Sequence, residues 1–275
     1  MALASPVSPV SNTLPADPPS TPKLARYQSL QGQRVFITGG GTGIGAAMVE
    51  AFAEQGAQVA FVDFAESESL ALAQKIAGAG HAKPWFSHCD VRDVAALQKA
   101  IASAEAELGD FHTLINNVAR DDRHTLESVT PEYWEERMSV NQRPAFFAIQ
   151  SIVPGMKRLG GGSIINFGST GWQTKGSAYP CYAIAKSAVN GLTRGLAGSL
   201  GPHRIRVNTI SPGWVMTERQ IALWLNEEGE REIQRNQCLP DKLQPRDVAR
   251  MALFLASDDG AMCTAQEFKV DAGWN

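Results

Sequence analysis

The chain has 275 residues, 44% of them hydrophobic, which suits one α/β domain, or at most two small ones, with a substantial core. Its 25 Lys and Arg against 28 Asp and Glu leave a net charge of -3, without the basic surplus of a polyanion or nucleic-acid binder. No run of about 18 apolar residues is present to span a membrane, and the four scattered cysteines (Cys89, Cys181, Cys238, Cys263) form no CxxC pair and no zinc spacing, so free thiols in a reducing cytosol are expected.

Residues 1–30 form a Pro/Ser-rich segment with prolines from Pro6 to Pro22. Such a stretch buries too little apolar area to offset its ordering entropy, so a disordered tail is expected, with the folded domain over 31–275. The segment lacks a basic start and an apolar run, and its basic residues, Lys23 and Arg26, come late, so neither a secretory signal nor a transit peptide is expected.

From Arg34 onward short apolar runs alternate with helical stretches. Strands are expected at 34–38, 58–62, 85–89, 113–115, 163–167, 205–210 and 266–270. Helices are expected at 43–55, 66–77, 94–108, 131–159 with Asn141 as the candidate break, 180–200 and 245–256. Alternating strands and helices imply βαβ units: a single doubly wound parallel sheet of about seven strands with helices on both faces.

The first motif, Thr38-Gly39-Gly40-Gly41-Thr42-Gly43-Ile44-Gly45, follows a strand and opens a helix. Glycines allow a tight turn and close backbone approach, and the helix N-terminus offers free N–H groups to a pyrophosphate. Asp63 closes the second strand, 18 residues after Gly45. A carboxylate there can accept hydrogen bonds from ribose hydroxyls and repels a 2′-phosphate; with no Lys or Arg in the loop or just after Asp63, NAD is favoured over NADP. An Asp in that position can equally cap the next helix. Asp90-Val91 stands after the third strand, where an adenine could lie.

Tyr182 and Lys186 are four apart in an expected helix and share a face. An ammonium beside a phenol favours the phenolate, which makes Tyr182 a candidate general base. A surface Tyr–Lys pair is the ordinary alternative. Tyr179 is set aside, because its i+4 residue is Ala183 and brings no cation.

Taken together, these residues resemble the short-chain dehydrogenase/reductase family. The TGxxxGxG loop is present, the strand end reads Asn116-Asn117-Val118-Ala119, and Ser139-Val140-Asn141 follows. Ser169 stands 13 residues before Tyr182, which opens the YxxxK with Lys186, and Pro212-Gly213 with Val215 and Thr217 matches the segment after the sixth strand. The resemblance covers Gln33 to Trp274. It implies a catalytic set of Asn141, Ser169, Tyr182 and Lys186, with Lys186 also on the nicotinamide ribose and Asn141 holding a water in a proton relay. It implies cofactor contacts from Gly39, Thr42, Gly43, Ile44, Gly45, Asp63, Asp90, Val91, Asn117, Val118, Ala119, Pro212, Gly213, Val215 and Thr217, besides Tyr182 and Lys186. Val118-Ala119 replaces the usual Ala-Gly, a change that leaves the proton-transfer groups intact.

A narrower resemblance, to bacterial aldose 1-dehydrogenases of the family, is carried by Asp121-Asp122-Arg123-His124-Thr125-Leu126, Pro154-Gly155-Met156-Lys157 and the closing Val270-Asp271-Ala272-Gly273-Trp274. Departures from the D-xylose type at Arg120, at Trp172-Gln173-Thr174-Lys175 and at Trp214-Val215-Met216 favour the L-arabinose/D-galactose type. An aldose pocket needs donors, acceptors and an aromatic platform, for which Asp121, Arg123, Trp172, Trp214 and Gln220 are the candidates beside Ser169 and Tyr182. Surface salt bridges and caps are the alternative for the polar ones, above all for Asp122 and His124; either tryptophan could instead pack at a subunit interface. The expected reaction is NAD-dependent oxidation of an aldose at C1, L-arabinose or D-galactose first, with Trp214 limiting the group on C5. D-Xylose or L-fucose oxidation, another alcohol dehydrogenase or carbonyl reductase, and a silent nucleotide-binding scaffold remain the alternatives. No metal spacing is found, no nucleic-acid or membrane partner is expected, and the resemblance implies a cytoplasmic homo-oligomer, tetramer or dimer.

Overall fold

A computed structural model describes residues 25–176 and 178–275. Seven parallel strands, β1 (Arg34–Thr38), β2 (Gln58–Asp63), β3 (Trp85–His88), β4 (Thr113–Asn116), β5 (Gly162–Phe167), β6 (Ile205–Pro212) and β7 (Glu267–Val270), lie in the order β3-β2-β1-β4-β5-β6-β7. The doubly wound sheet expected from the strand–helix alternation is therefore present. Side chains alternate across it as period-2 pleating requires. Val35, Ile37, Val59, Phe61, Ile115, Ile165 and Ile210 face one apolar cluster. Phe36, Ala60, Val62, Leu114, Ile164 and Val207 face the other.

Helices α1 (Gly43–Glu54), α2 (Glu66–Gly78) and α9 (Pro245–Ala256) cover the first face through residues such as Phe52, Leu72 and Val248. Helices α3 (Val94–Leu108), α5 (Arg143–Leu159) and α6 (Pro180–Leu200) cover the second through Leu97, Ile152 and Leu200. The long helix expected over 131–159 is two: α4 (Pro131–Asn141) ends at Gln142, whose φ of -129° and ψ of -56° leave the helical region, and α5 restarts at Arg143 with Pro144 in its first turn. Two helices were not anticipated, α7 (Glu218–Trp224) and α8 (Glu227–Asn236), capped by the Thr217 and Asn226 side chains.

A buried polar chain ties α6 to the sheet. Asn116 Nδ2 donates to Asn166 Oδ1 (2.9 Å), Asn166 Nδ2 to Thr193 Oγ1 (3.1 Å), and Thr193 meets Thr209 hydroxyl to hydroxyl at 2.8 Å. Buried polar groups are tolerated when paired, and here the pairing fixes how α6 lies on β4–β6.

Residues 1–24 of the expected tail lie outside the described residues. Its boundary at residue 30 is corrected: Leu30 is fully buried, Tyr27 packs against the first cluster, and the Gln55 amide accepts from Tyr27 N–H (2.9 Å) while donating to the Ala25 carbonyl (2.8 Å). Residues 25–30 thus belong to the folded domain, because Tyr27 and Leu30 supply apolar side chains to its first cluster. Among the described residues, no helix is long and apolar enough to cross a membrane.

Candidate active site

β1 has β2 on one side and β4 on the other, so the chain crosses in opposite directions and opens a crevice beyond the strands' carboxyl ends. The glycine loop fills its floor. Gly39 (φ +71°) and Gly43 (φ +55°) are left-handed, and a Cβ on Gly45 would sit 1.7 Å from the Gly39 carbonyl oxygen. Asn117 Nδ2 donates to that carbonyl (2.7 Å), while its N–H donates to Thr38 Oγ1 (3.2 Å). Asp63 accepts from the N–H groups of Gly41 (2.7 Å) and Ala65 (2.8 Å), which draws a carboxylate against the loop. Thr42 stands at the N-cap of α1 without a side-chain cap bond, so the helix's first N–H groups are not capped by its own N-cap side chain. A tight glycine cradle and side-chain-uncapped helix N–H groups, with the Asp63 carboxylate at the end of β2 beside them, fit a dinucleotide.

Two sequence-derived contacts carry other duties. Asp90 is gripped by the Arg92 guanidinium, which holds its carboxyl below the usual range, and Val91 is buried in the second apolar cluster. Val118 crowds Gly39, where a Cβ would lie 2.9 Å from its Cγ2.

A cavity of about 440 Å³ continues from the loop. Ile44, Asn117 and Ala119 line it from the β1 and β4 ends, and Pro212, Gly213, Val215 and Thr217 from the β6 end. Ser169, Tyr182 and Lys186 line it together, so three of the four expected catalytic side chains converge. Ser169 Oγ accepts from Gly171 N–H (3.0 Å), which fixes its rotamer and leaves its own proton free to donate.

The Tyr–Lys relation differs from expectation. Lys186 Nζ lies 5.9 Å from the Tyr182 ring centroid and donates to the Phe167 carbonyl (2.7 Å). Burial pushes the Tyr182 phenol above its ordinary value, and a hydrogen bond with Ser169 pulls it partway back. Burial pushes Lys186 down to about 8. In this state desolvation outweighs any help the ammonium gives the phenolate.

Asn141 does not line this cavity. Its Oδ1 accepts from Arg120 N–H (2.7 Å) and its Nδ2 donates to the Arg120 carbonyl (3.1 Å), pinning the loop after β4. A second cavity of about 20 Å³ is lined by Asn141, Val118 and Lys186, a size that holds one water.

Asp121, Arg123, Trp214 and Gln220 line the main cavity. Asp121 Oδ2 accepts from Gln220 Nε2 (2.8 Å) and Arg123 (3.3 Å). Trp172 is corrected: it does not line the cavity, and its buried indole N–H has no hydrogen-bond partner among the described residues. Tyr179, set aside on sequence, does line it. Its ring packs edge-on to Tyr182 at 5.6 Å, and the Arg123 guanidinium lies between Tyr179 (4.6 Å) and Trp224 (4.4 Å). Its cation is supplied by Arg123 from the loop after β4 rather than by its own helix. Sequence reasoning also missed Thr174, Arg219, Glu232 and Trp274. The last three sit on α7, α8 and the C-terminal segment, whose Thr217 and Asn226 caps were the only local signals.

Comparison with known proteins agrees with this geometry. A family profile described as Enoyl-(Acyl carrier protein) reductase matches residues 39–275. The "Probable galactose dehydrogenase GalD" of Rhizobium meliloti (strain 1021) is 49% identical over 249 residues, 90% of this chain and 97% of that protein. The D-xylose 1-dehydrogenase of Caulobacter vibrioides (strain NA1000 / CB15N) is 46% identical over 250 residues, 91% of this chain and 98% of that protein. Among solved structures, a blue fluorescent protein from a metagenomic library in complex with NADPH aligns with a TM-score of 0.82 at 34% identity, covering 90% of this chain and 99% of that one. The chain belongs to the short-chain dehydrogenase/reductase family. It is an oxidoreductase of the kind that works with a nicotinamide cofactor.

Proposed function

We propose that the protein oxidises an aldose at C1 to the aldonolactone with NAD⁺, with L-arabinose and D-galactose as its substrates. The convergence of Ser169 and Tyr182 on a cavity lined by polar and aromatic side chains carries the reading. The galactose and xylose dehydrogenases among its relatives support an aldose, and the more similar of the two points to galactose. L-Arabinose and D-galactose share the ring configuration from C2 to C4, so a site built for one admits the other. NAD is supported by Asp63, whose carboxylate lies against the glycine loop with no cation nearby in sequence.

A bound nicotinamide dinucleotide would supply the hydride acceptor for C1. The glycine loop and the start of α1 would hold its pyrophosphate, Asp63 its adenosine ribose, and Lys186 its nicotinamide ribose. Thr217, in contact range of the Gly43 position, and Asn117, bonded to Gly39, keep the loop in place. The Ser169 hydroxyl donates to the C1 oxygen and orients it. Tyr182 takes the proton from that oxygen; burial raises its phenol in this state, and positive charge brought close favours the phenolate. Lys186 and the one-water cavity beside Asn141 offer the route by which that proton leaves. On the same reading the protein is a cytoplasmic homo-oligomer, tetramer or dimer, packed through α6, where a Cβ added to Gly191, Gly195 or Gly198 meets no atom within 4 Å.

A steady-state screen of aldoses and secondary alcohols with NAD⁺ and NADP⁺ tests this. NADH formation highest with L-arabinose or D-galactose is expected; turnover of secondary alcohols with no aldose oxidised would overturn it.

A further inference from the structure

Besides Lys186, four charged side chains line the main cavity: Asp121, Arg123, Arg219 and Glu232. Three are committed to one another. Arg123 donates to the Asp121 carbonyl (2.9 Å) and carboxylate (3.3 Å), and Arg219 reaches Asp121 Oδ1 (3.4 Å) and Asp122 Oδ1 (2.8 Å). With Gln220 also on Asp121 Oδ2, that carboxylate has little accepting capacity left.

Glu232 differs: its side chain is exposed, and among the described residues its carboxylate takes part in no hydrogen bond or ion pair, while its main-chain carbonyl accepts from Asn236 Nδ2 (2.9 Å). Its position is set by the packing of α8. Ile233 is buried, and Gly229 lies under the Trp214 indole, where a Cβ would come within 2.8 Å of Cη2. Three residues beyond Gly229, Glu232 shares that helix face. It also faces the Tyr179 phenol closely enough for its charge to help raise it.

We infer that Glu232 is a specificity-determining residue that accepts a hydrogen bond from a substrate hydroxyl remote from C1. An ionised carboxylate only accepts, so its partner must be a donor, and on a neutral sugar that donor is a hydroxyl. The inference rests on the aldose reading above and names the residue that makes the pocket select hydroxylated substrates. Since the contact is made away from the reacting carbon, its loss raises KM and leaves kcat nearly unchanged.

The experiment measures wild type, Glu232→Gln and Glu232→Ala with saturating NAD⁺ against D-galactose and its 2-, 3-, 4- and 6-deoxy analogues. In wild type one analogue should lose roughly 10- to 100-fold in kcat/KM, the range of a hydrogen bond to a charged group. Glu232→Ala should bring galactose down by a similar factor through KM and abolish discrimination against that analogue. Glu232→Gln should keep part of it, since an amide oxygen still accepts, and the KM for NAD⁺ should be unchanged in both. Variants that retain the wild-type discrimination, or that lose all five sugars equally, would overturn the role of Glu232 while leaving the aldose reading standing. A wild type that oxidises no aldose would overturn both.

Discussion

His124 Nε2 accepts a hydrogen bond from the Cys181 backbone N–H at 3.1 Å, so an imidazole from the loop after β4 caps the helix that carries Tyr182. An accepting Nε2 places the ring proton on Nδ1, which donates to the Asp122 carbonyl at 2.8 Å, with the Tyr133 hydroxyl 3.0 Å from the same nitrogen. The ring therefore joins the loop after β4 to the first turn of α6. His124→Ala leaves the Cys181 N–H without this partner. It should cost about 1 kcal/mol, lower Tm by roughly 2–4 °C, and reduce kcat by about tenfold with little change in the KM for NAD⁺. His124→Asn, which still offers an accepting oxygen, should recover part of the rate. An alanine variant within twofold of wild type in kcat would show that the contact does not position Tyr182.

Trp214 packs over Gly229 and against Trp274, with ring centroids 6.3 Å apart, at one wall of the main cavity. On the proposed function its bulk limits the substituent on C5, the only difference between L-arabinose and D-galactose. Trp214→Ala should raise the ratio of kcat/KM for galactose over arabinose by about tenfold, the scale expected when a pocket gains room for a small group. An unchanged ratio would remove Trp214 as the selector.

Asp63→Ala removes the carboxylate that accepts from the Gly41 and Ala65 N–H groups and, on the NAD reading proposed above, the acceptor for a ribose hydroxyl and the repulsion toward a 2′-phosphate. The KM for NAD⁺ should rise by about 10- to 100-fold, and the kcat/KM preference for NAD⁺ over NADP⁺ should shrink by a similar factor. Paired titrations with the two cofactors decide this. A preference that does not move would mean that Asp63 only braces the glycine loop.

Burial of Lys186 has a stability signature. Its value is pushed from 10.5 down to about 8, so between those pH values the unfolded chain holds a proton that the native protein has released. Stability therefore rises with pH across that window, and the strain of burying a charge is felt in full only below it. Urea unfolding of wild type and Lys186→Met from pH 7 to 10 should show wild type gaining up to roughly 3 kcal/mol relative to the variant. A difference that stays flat across this range would mean that the ammonium is stabilised in place.

The strands were legible because each is a short apolar run with turn residues at its ends, and the glycine loop because its spacing falls between a strand and a helix. What escaped the sequence was decided by tertiary packing. Helix α8 is mostly charged and buries only Gly229 and Ile233, so it has too little apolar periodicity to be seen, yet it brings Glu232 to the cavity. Tyr179 was dismissed for lack of a cation one turn along, and Arg123 reaches it from a separate loop. Spacing placed Tyr182 and Lys186 on one helix face, but it carried no information on burial or on the Phe167 carbonyl that takes the ammonium. Trp172 stands three residues after Ser169 in sequence, yet it does not line the cavity.

The proton transfer assigned to Tyr182 is tested most directly by following NADH absorbance with NAD⁺ and D-galactose or L-arabinose, in wild type and in Tyr182→Phe. The substitution keeps the ring and removes only the hydroxyl. Turnover by wild type and a loss of at least about 10³-fold in kcat for the variant, with the KM for NAD⁺ unchanged, is the expected result. A phenylalanine variant that turns over at a rate close to wild type would contradict the account.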